Sequence, residues 1–130
     1  MKPASEETTS GNAFRRCNLF ELEQEKTVAH DGVGEILFKR IASAANISGA
    51  CNFLDFTTMP PGSTIGKHTH QDSEEEYYLI LRGRGRMQQD GEEFEVKAGD
   101  LIRNPPGGTH ALQNIGGDIL QMFVFEVRVP

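Results

Sequence analysis

The apolar residues of this chain come in short runs of strand length. "FRRCNLF", "EILFKRI", "NFLDFTTM", "YYLILR", "RMQQ", "EFEVK", "DLIRN", "HALQN" and "ILQMFVFEVRV" all fit strands, and none keeps the i, i+3, i+4, i+7 spacing of a helix. Turn sequences stand between them: "MPPGS", "RGRG", "DGEE", "KAGD", "NPPGG" and "NIGGD". Short strands punctuated in this way predict an all-β sandwich or barrel. Residues 21–32, "ELEQEKTVAHDG", carry the only helical flavour. Their apolar positions are too few for more than one short helix or an irregular arm. Residues 1–13 are small and polar without periodicity and read as a flexible N-terminal segment, which leaves one domain over residues 14–130.

At 130 residues the chain has room for a single core. A formal net charge of −6, with no dense cluster of Lys and Arg, argues against nucleic acid as a partner. No apolar stretch approaches the ~18 residues needed to span a bilayer, so no membrane partner is expected. "MKPASEETTSG" lacks the apolar centre of a signal peptide, and the expected compartment is the cytoplasm. Cys17 and Cys51, without CxxC spacing, read as reduced thiols with no chemical role.

Candidate chemistry is concentrated in "KHTHQDSEEEYYLILRG", residues 67–83. Alternate residues of a strand share a face, so His68 and His70 present two imidazoles together. Alone, such a pair is a weak signal. The wider pattern reads Gly62, five residues, His68, Thr69, His70, five residues, Glu76, six residues, Gly83. It continues with Gly99, five residues, Pro105, Pro106, Gly107, two residues, His110, three residues, Asn114. These runs resemble the two motifs of the cupin superfamily, G(x)5HxH(x)3–4E(x)6G and G(x)5PxG(x)2H(x)3N. The second motif matches at every fixed position, and the first carries one extra residue before its glutamate.

The resemblance implies a small single-domain metal-binding cupin: a double-stranded β-helix, or jelly-roll, barrel with an ion near one mouth. His68, His70, Glu76 and His110 would then be the metal ligands. Three imidazoles and a carboxylate suit a divalent transition metal, with manganese or iron favoured and nickel, zinc, copper or cobalt also accommodated. A small oxygen-bearing molecule (a carboxylate, keto acid, diol or sugar) would chelate the ion. The implied activities are dioxygenase-like, oxalate-decarboxylase-like or isomerase-like, and a non-catalytic binding or sensing module is the alternative. Cupins of this size also imply a homodimer, with the apolar segment 35–56 as its expected contact.

Strand alternation lets either Glu75 or Glu76 face the lumen, since both sit on apolar faces. The six-residue spacing to Gly83 in the resembled motif selects Glu76, with Glu75 as the alternative and the extra residue placed in the "QDSE" loop. Glu74 and Asp72 read as solvated acids, and His30, in the "HDGVG" turn, as a surface histidine. Lys67 and Arg103 are the cationic candidates near the site, with Lys67 turned away by alternation. Asn114 is expected to tie down a turn or strand end near His110.

Overall fold

The structure, a computed structural model, describes residues 14–130. The flexible segment expected over residues 1–13 lies outside the described residues. The described chain forms ten strands: β1 (Glu25–Thr27), β2 (Ile36–Ser43), β3 (Cys51–Met59), β4 (Thr64–Thr69), β5 (Glu74–Arg82), β6 (Arg84–Gln89), β7 (Glu92–Lys97), β8 (Leu101–Asn104), β9 (Thr109–Asn114) and β10 (Leu120–Arg128). They build two antiparallel sheets, one of six strands ordered β1-β2-β3-β10-β5-β8 and one of four ordered β4-β9-β6-β7. This is the expected jelly-roll barrel, in which the chain crosses repeatedly between two facing sheets.

Alternation along each strand builds the interior. β5 buries Glu76, Tyr78 and Ile80 and leaves the residues between them partly exposed, and β6 buries Gly85 and Met87. Met59, Tyr78, Ile80, Met87, Leu112, Leu120 and Met122 meet between the sheets. Burial of an apolar side chain of this size contributes roughly 1.5–3 kcal/mol, so this layer is the main cohesive element. A second cluster, Leu22, Ile41 and Phe56, lies on the other face of the six-stranded sheet, covered by Phe14, Cys17 and Leu19 from the N-terminal arm.

Two stretches differ from the sequence reading. "FRRCNLF" is not a strand but the covering arm, with one 3-10 turn at Leu19–Glu21 capped by the Asn18 side chain. Residues 21–32 hold no α-helix: β1 pairs there with β2, followed by a tight turn, because the apolar positions have no helical stripe to bury. The segment 35–56, expected at a dimer contact, spends Ile36, Ile41, Ala42 and Phe56 on this chain's own core.

Glycines close the turns that bring the strands together. Gly62, Gly83, Gly99 and Gly107 all have positive φ, between 72° and 95°. At Gly107 the crowding is also local, since a Cβ there would lie 2.4 Å from Asp72 Oδ1. The "NPPGG" turn thereby packs on the loop after β4, and Gly107 N donates to Gln71 O while His70 N donates to Gly108 O. The backbone of one half-site is thus hydrogen-bonded to the turn that introduces the other.

Candidate metal centre

Four side chains from three strands and one loop converge in the barrel. His68, on β4, is paired in register with His110, on β9. His70 follows the end of β4, and Glu76 comes from β5 in the opposite sheet. Each of the four offers a ligand atom, and these atoms all lie within 4.8 Å of one another. Glu76 Oε1 stands 3.3 Å from His70 Nε2 and 3.1 Å from His110 Nε2. His70 Nε2 and Glu76 Oε1 are buried yet make no hydrogen bond, despite their proximity. Buried polar atoms are rarely left so, and a cluster of them pointing together is a place for an ion.

The far sides of two of these rings are already committed. His68 Nδ1 lies 2.8 Å from Gly66 O, which accepts its proton and leaves Nε2 as the bare nitrogen. His70 Nδ1 lies 3.2 Å from Glu126 Oε1 and 3.5 Å from Glu74 Oε1. A carboxylate or carbonyl behind an imidazole fixes its tautomer and raises the basicity of the other nitrogen. The residues present therefore fit a divalent cation in number, donor type and orientation. Tyr78 Oη, 3.1 Å from His110 Nε2, faces the same centre.

Electrostatics divides the histidines. The carboxylates of Glu126, then of Glu76, take His70 up to about 10 against the opposing cost of burial. Burial, aided by the neighbouring imidazoles, takes His68 down to about 4. Burial works against charge on Glu76, but the facing His110 and His70 rings outweigh it and hold the carboxyl down to about 2. Burial pushes the Tyr78 phenol well above its ordinary range, so the group stays a proton donor.

Glu75 points outward. Its carboxylate accepts from Tyr77 Oη at 2.8 Å and pairs with Arg103 Nη2 at 2.6 Å, so neither Glu75 nor Arg103 reaches the lumen centre. Lys67 is exposed and does not line the lumen. Asn114 is almost fully buried; its amide donates to Met59 O and Asp118 O and accepts from Gly116 N, tying the end of β9 to the end of β3 and to the turn before β10.

Two expectations are corrected. Glu74 is not simply solvated: its Oε1 accepts from Gln71 N at 2.8 Å and sits behind His70, because the loop after β4 curls back over the start of β5. His30, although exposed at one edge, is not remote from the centre. Its ring stacks on His68 with centroids 3.5 Å apart and planes 6° from parallel. His30 and Asp31, with φ of 51° and 57°, are the central residues of a turn closed by Gly32 N donating to Ala29 O. Two successive positive φ values make this a type I′ turn, for which His is a poor choice. The turn seats on β4 because Gly66 has no side chain: a Cβ there would meet His30 O at 1.9 Å.

Sequence reading missed two lumen acids and the arginine paired with one of them. Glu126 is 4% exposed and accepts from Asn52 Nδ2 at 2.9 Å. Asp55 is 8% exposed and takes a bidentate pair from Arg40, whose Nε and Nη2 lie 2.9 and 3.0 Å from its oxygens. The signal was alternation: Glu126 shares a face with Met122 and Val124, and Asp55 with Phe53 and Thr57. A charge on a face otherwise turned inward marks a lumen residue.

The comparisons agree with this architecture. The cupin domain model matches residues 55–126. An uncharacterized protein of Methanocaldococcus jannaschii is 53% identical over 58 residues, covering 45% of this chain and 46% of that protein, so the match spans less than half of the relative. An oxalate-binding protein of Thermotoga maritima is 30% identical over 90 residues, 69% of this chain and 74% of the relative. A crystal structure from Thermotoga maritima, described as a predicted oxalate decarboxylase, superposes with a TM-score of 0.83 at 26% identity, over 88% of this chain and 100% of that one. Since the domain model covers more than half of its length, the chain belongs to the cupin domain family.

Proposed function

We propose that this protein holds a divalent transition-metal ion on His68, His70, Glu76 and His110 and uses it to bind, and to turn over, a small oxygen-bearing organic molecule. The observation that carries the reading is the arrangement of buried atoms without hydrogen-bond partners, His70 Nε2 and Glu76 Oε1, beside rings whose opposite nitrogens are occupied by Gly66 O and Glu126. Neutral nitrogen and carboxylate donors without a thiolate favour manganese or iron, and the same set accommodates nickel, zinc, copper or cobalt. When bound, such an ion supplies Lewis-acid polarisation of a chelated oxygen or access to dioxygen chemistry.

The protein's own contributions follow from position. Gly66 O keeps His68 in one tautomer and Glu126 holds the His70 ring in place, so neither ring must turn when a ligand enters. Tyr78, buried and held protonated, offers a hydroxyl proton at the centre and is the residue placed to hydrogen-bond an oxygen of the ligand. The apolar neighbours Ile65, Met122 and Val124 restrict water around it.

A second reading, binding without turnover, is favoured by the resemblance to a relative named as an oxalate-binding protein. The two separate experimentally. Anaerobically purified protein, reconstituted with manganese or iron and offered small acids, consumes oxygen or releases product on the first reading and only binds on the second. His110→Ala is expected to lose most of the bound metal by elemental analysis, and full retention would overturn the site.

A further inference from the structure

We propose that the ligand is a monocarboxylate with an apolar body and a neutral hydrogen-bonding tail, not a compact dicarboxylate such as oxalate. The inference rests on the metal-centre reading above and adds to it the size, floor plan and charge of the rest of the lumen.

The cavity that opens on the centre has a volume of about 470 Å³. At ~30 Å³ per water it could hold roughly fifteen waters, of which oxalate would displace about three or four. Cavities of a few hundred Å³ suit ligands several times that bulk.

Strand register gives the direction in which the extra space runs. Tyr78 lies opposite Val124, Val124 opposite Asp55, and Asp55 opposite Arg40. With strands ~4.8 Å apart, Asp55 is about 10 Å across the sheet from Tyr78. Phe38 and Phe53 wall this passage, and Val124 lies on its floor. The far end carries the Arg40–Asp55 pair, with the guanidinium 4.4 Å from the centroid of the Phe53 ring. A ligand with its oxygens at the metal therefore lays its body along aromatic side chains and ends at an ion pair.

Charge narrows the class. Four carboxylates, Asp55, Glu74, Glu76 and Glu126, line the cavity against a single Lys or Arg side chain, Arg40, and Asp55 already engages it. One carboxylate head can be compensated by the ion. A second carboxylate held away from the ion would meet acids and no free cation, at a cost burial makes large, so charge disfavours a longer dicarboxylate and the unfilled volume disfavours oxalate. The Arg40–Asp55 pair is neutral as a unit, yet keeps unused N–H donors and oxygen lone pairs that suit a hydroxyl or amide.

The test uses the full chain loaded with manganese, its metal content fixed by elemental analysis, and calorimetric titration with oxalate, pyruvate, phenylpyruvate and 4-hydroxyphenylpyruvate. The two aryl acids are expected to bind at least about tenfold tighter than pyruvate or oxalate, the order expected for burying an aromatic ring. Phe53→Ala and, separately, Phe38→Ala should each reduce the preference for phenylpyruvate over pyruvate by about tenfold. Full manganese occupancy with oxalate or pyruvate bound as tightly as the aryl acids would overturn this inference and leave the metal reading intact. Failure to retain manganese, iron, nickel, zinc, copper or cobalt would overturn the metal reading, and the inference with it.

Discussion

Glu126 and His70 meet through Oε1 and Nδ1 at 3.2 Å, while the other nitrogen of the same ring looks toward Glu76. The imidazole is thus held from behind by one carboxylate and faces another across the proposed ion site. Glu126 is itself anchored by Asn52, so its position does not depend on His70. Glu126→Gln keeps the shape but replaces an ionised acceptor with a neutral one. It is expected to weaken metal affinity roughly 10–100-fold, measured by competition with a chelator of known strength. Affinity equal to that of the unaltered protein would show that Glu126 does not support His70.

Adjacent glutamates give a sharper contrast. Glu76 is 6% exposed and shares the lumen with three histidines, whereas Glu75 is tied to Arg103 and Tyr77 on the outside. Glu76→Ala should abolish most metal retention. Glu75→Ala should leave metal content unchanged and stability close to that of the unaltered protein, as expected for an exposed pair. Equal metal loss in both variants would contradict the register that places Glu76 inside.

Much of this was legible in the chain because period-two burial and turn glycines are local properties. The strands from "EILFKRI" to "ILQMFVFEVRV" lie where alternation puts them, and Gly62, Gly83, Gly99 and Gly107 have the positive φ expected of turn glycines. The convergence of His68, His70, Glu76 and His110 followed motif spacing, because a barrel of fixed topology converts spacing into position. Glu126, Asp55 and Arg40 escaped because their significance depends on which strands become neighbours. Glu126 lies opposite Glu76 only once β10 pairs with β5. His30 escaped for another reason: a type I′ turn is signalled by Asn or Gly, and here the sequence offers His and Asp.

The protein freed of metal should show a stability maximum near pH 6.5. His70 is raised in the fold, so its contribution is complete below 6.5 and lost as pH rises toward 10. His68 is lowered, so the unfolded chain takes up a proton below 6.5 that the fold refuses until about 4, and stability falls on that side. Glu76 adds a further acid loss from 4.5 toward 2. Thermal midpoints of chelator-treated protein, at constant ionic strength, should therefore decline in both directions. Glu126→Gln should flatten the alkaline limb alone, since Glu126 is the leading cause of the His70 shift. A midpoint rising steadily to pH 9 would contradict the charged His70 pair.

His30 should trade stability against the centre. A non-glycine residue at positive φ costs on the order of 1 kcal/mol, and Asn bears that conformation more easily than His. His30→Asn is therefore expected to raise the thermal midpoint of the metal-free protein by a few degrees, on the order of 4 °C per kcal/mol for a domain of this size. The same change removes the ring stacked on His68 and uncovers that side of the centre. Metal should then dissociate several-fold faster, as followed by transfer to a colorimetric chelator. Gly66→Ala tests the same seat from the other side, because its methyl would meet the His30 carbonyl. It should lower the midpoint and speed dissociation together. If His30→Asn stabilised the fold with no change in metal release, the stacked ring would be a feature of the turn alone. If it destabilised the fold, the strain at φ 51° would not be what the His30 turn pays to sit against His68.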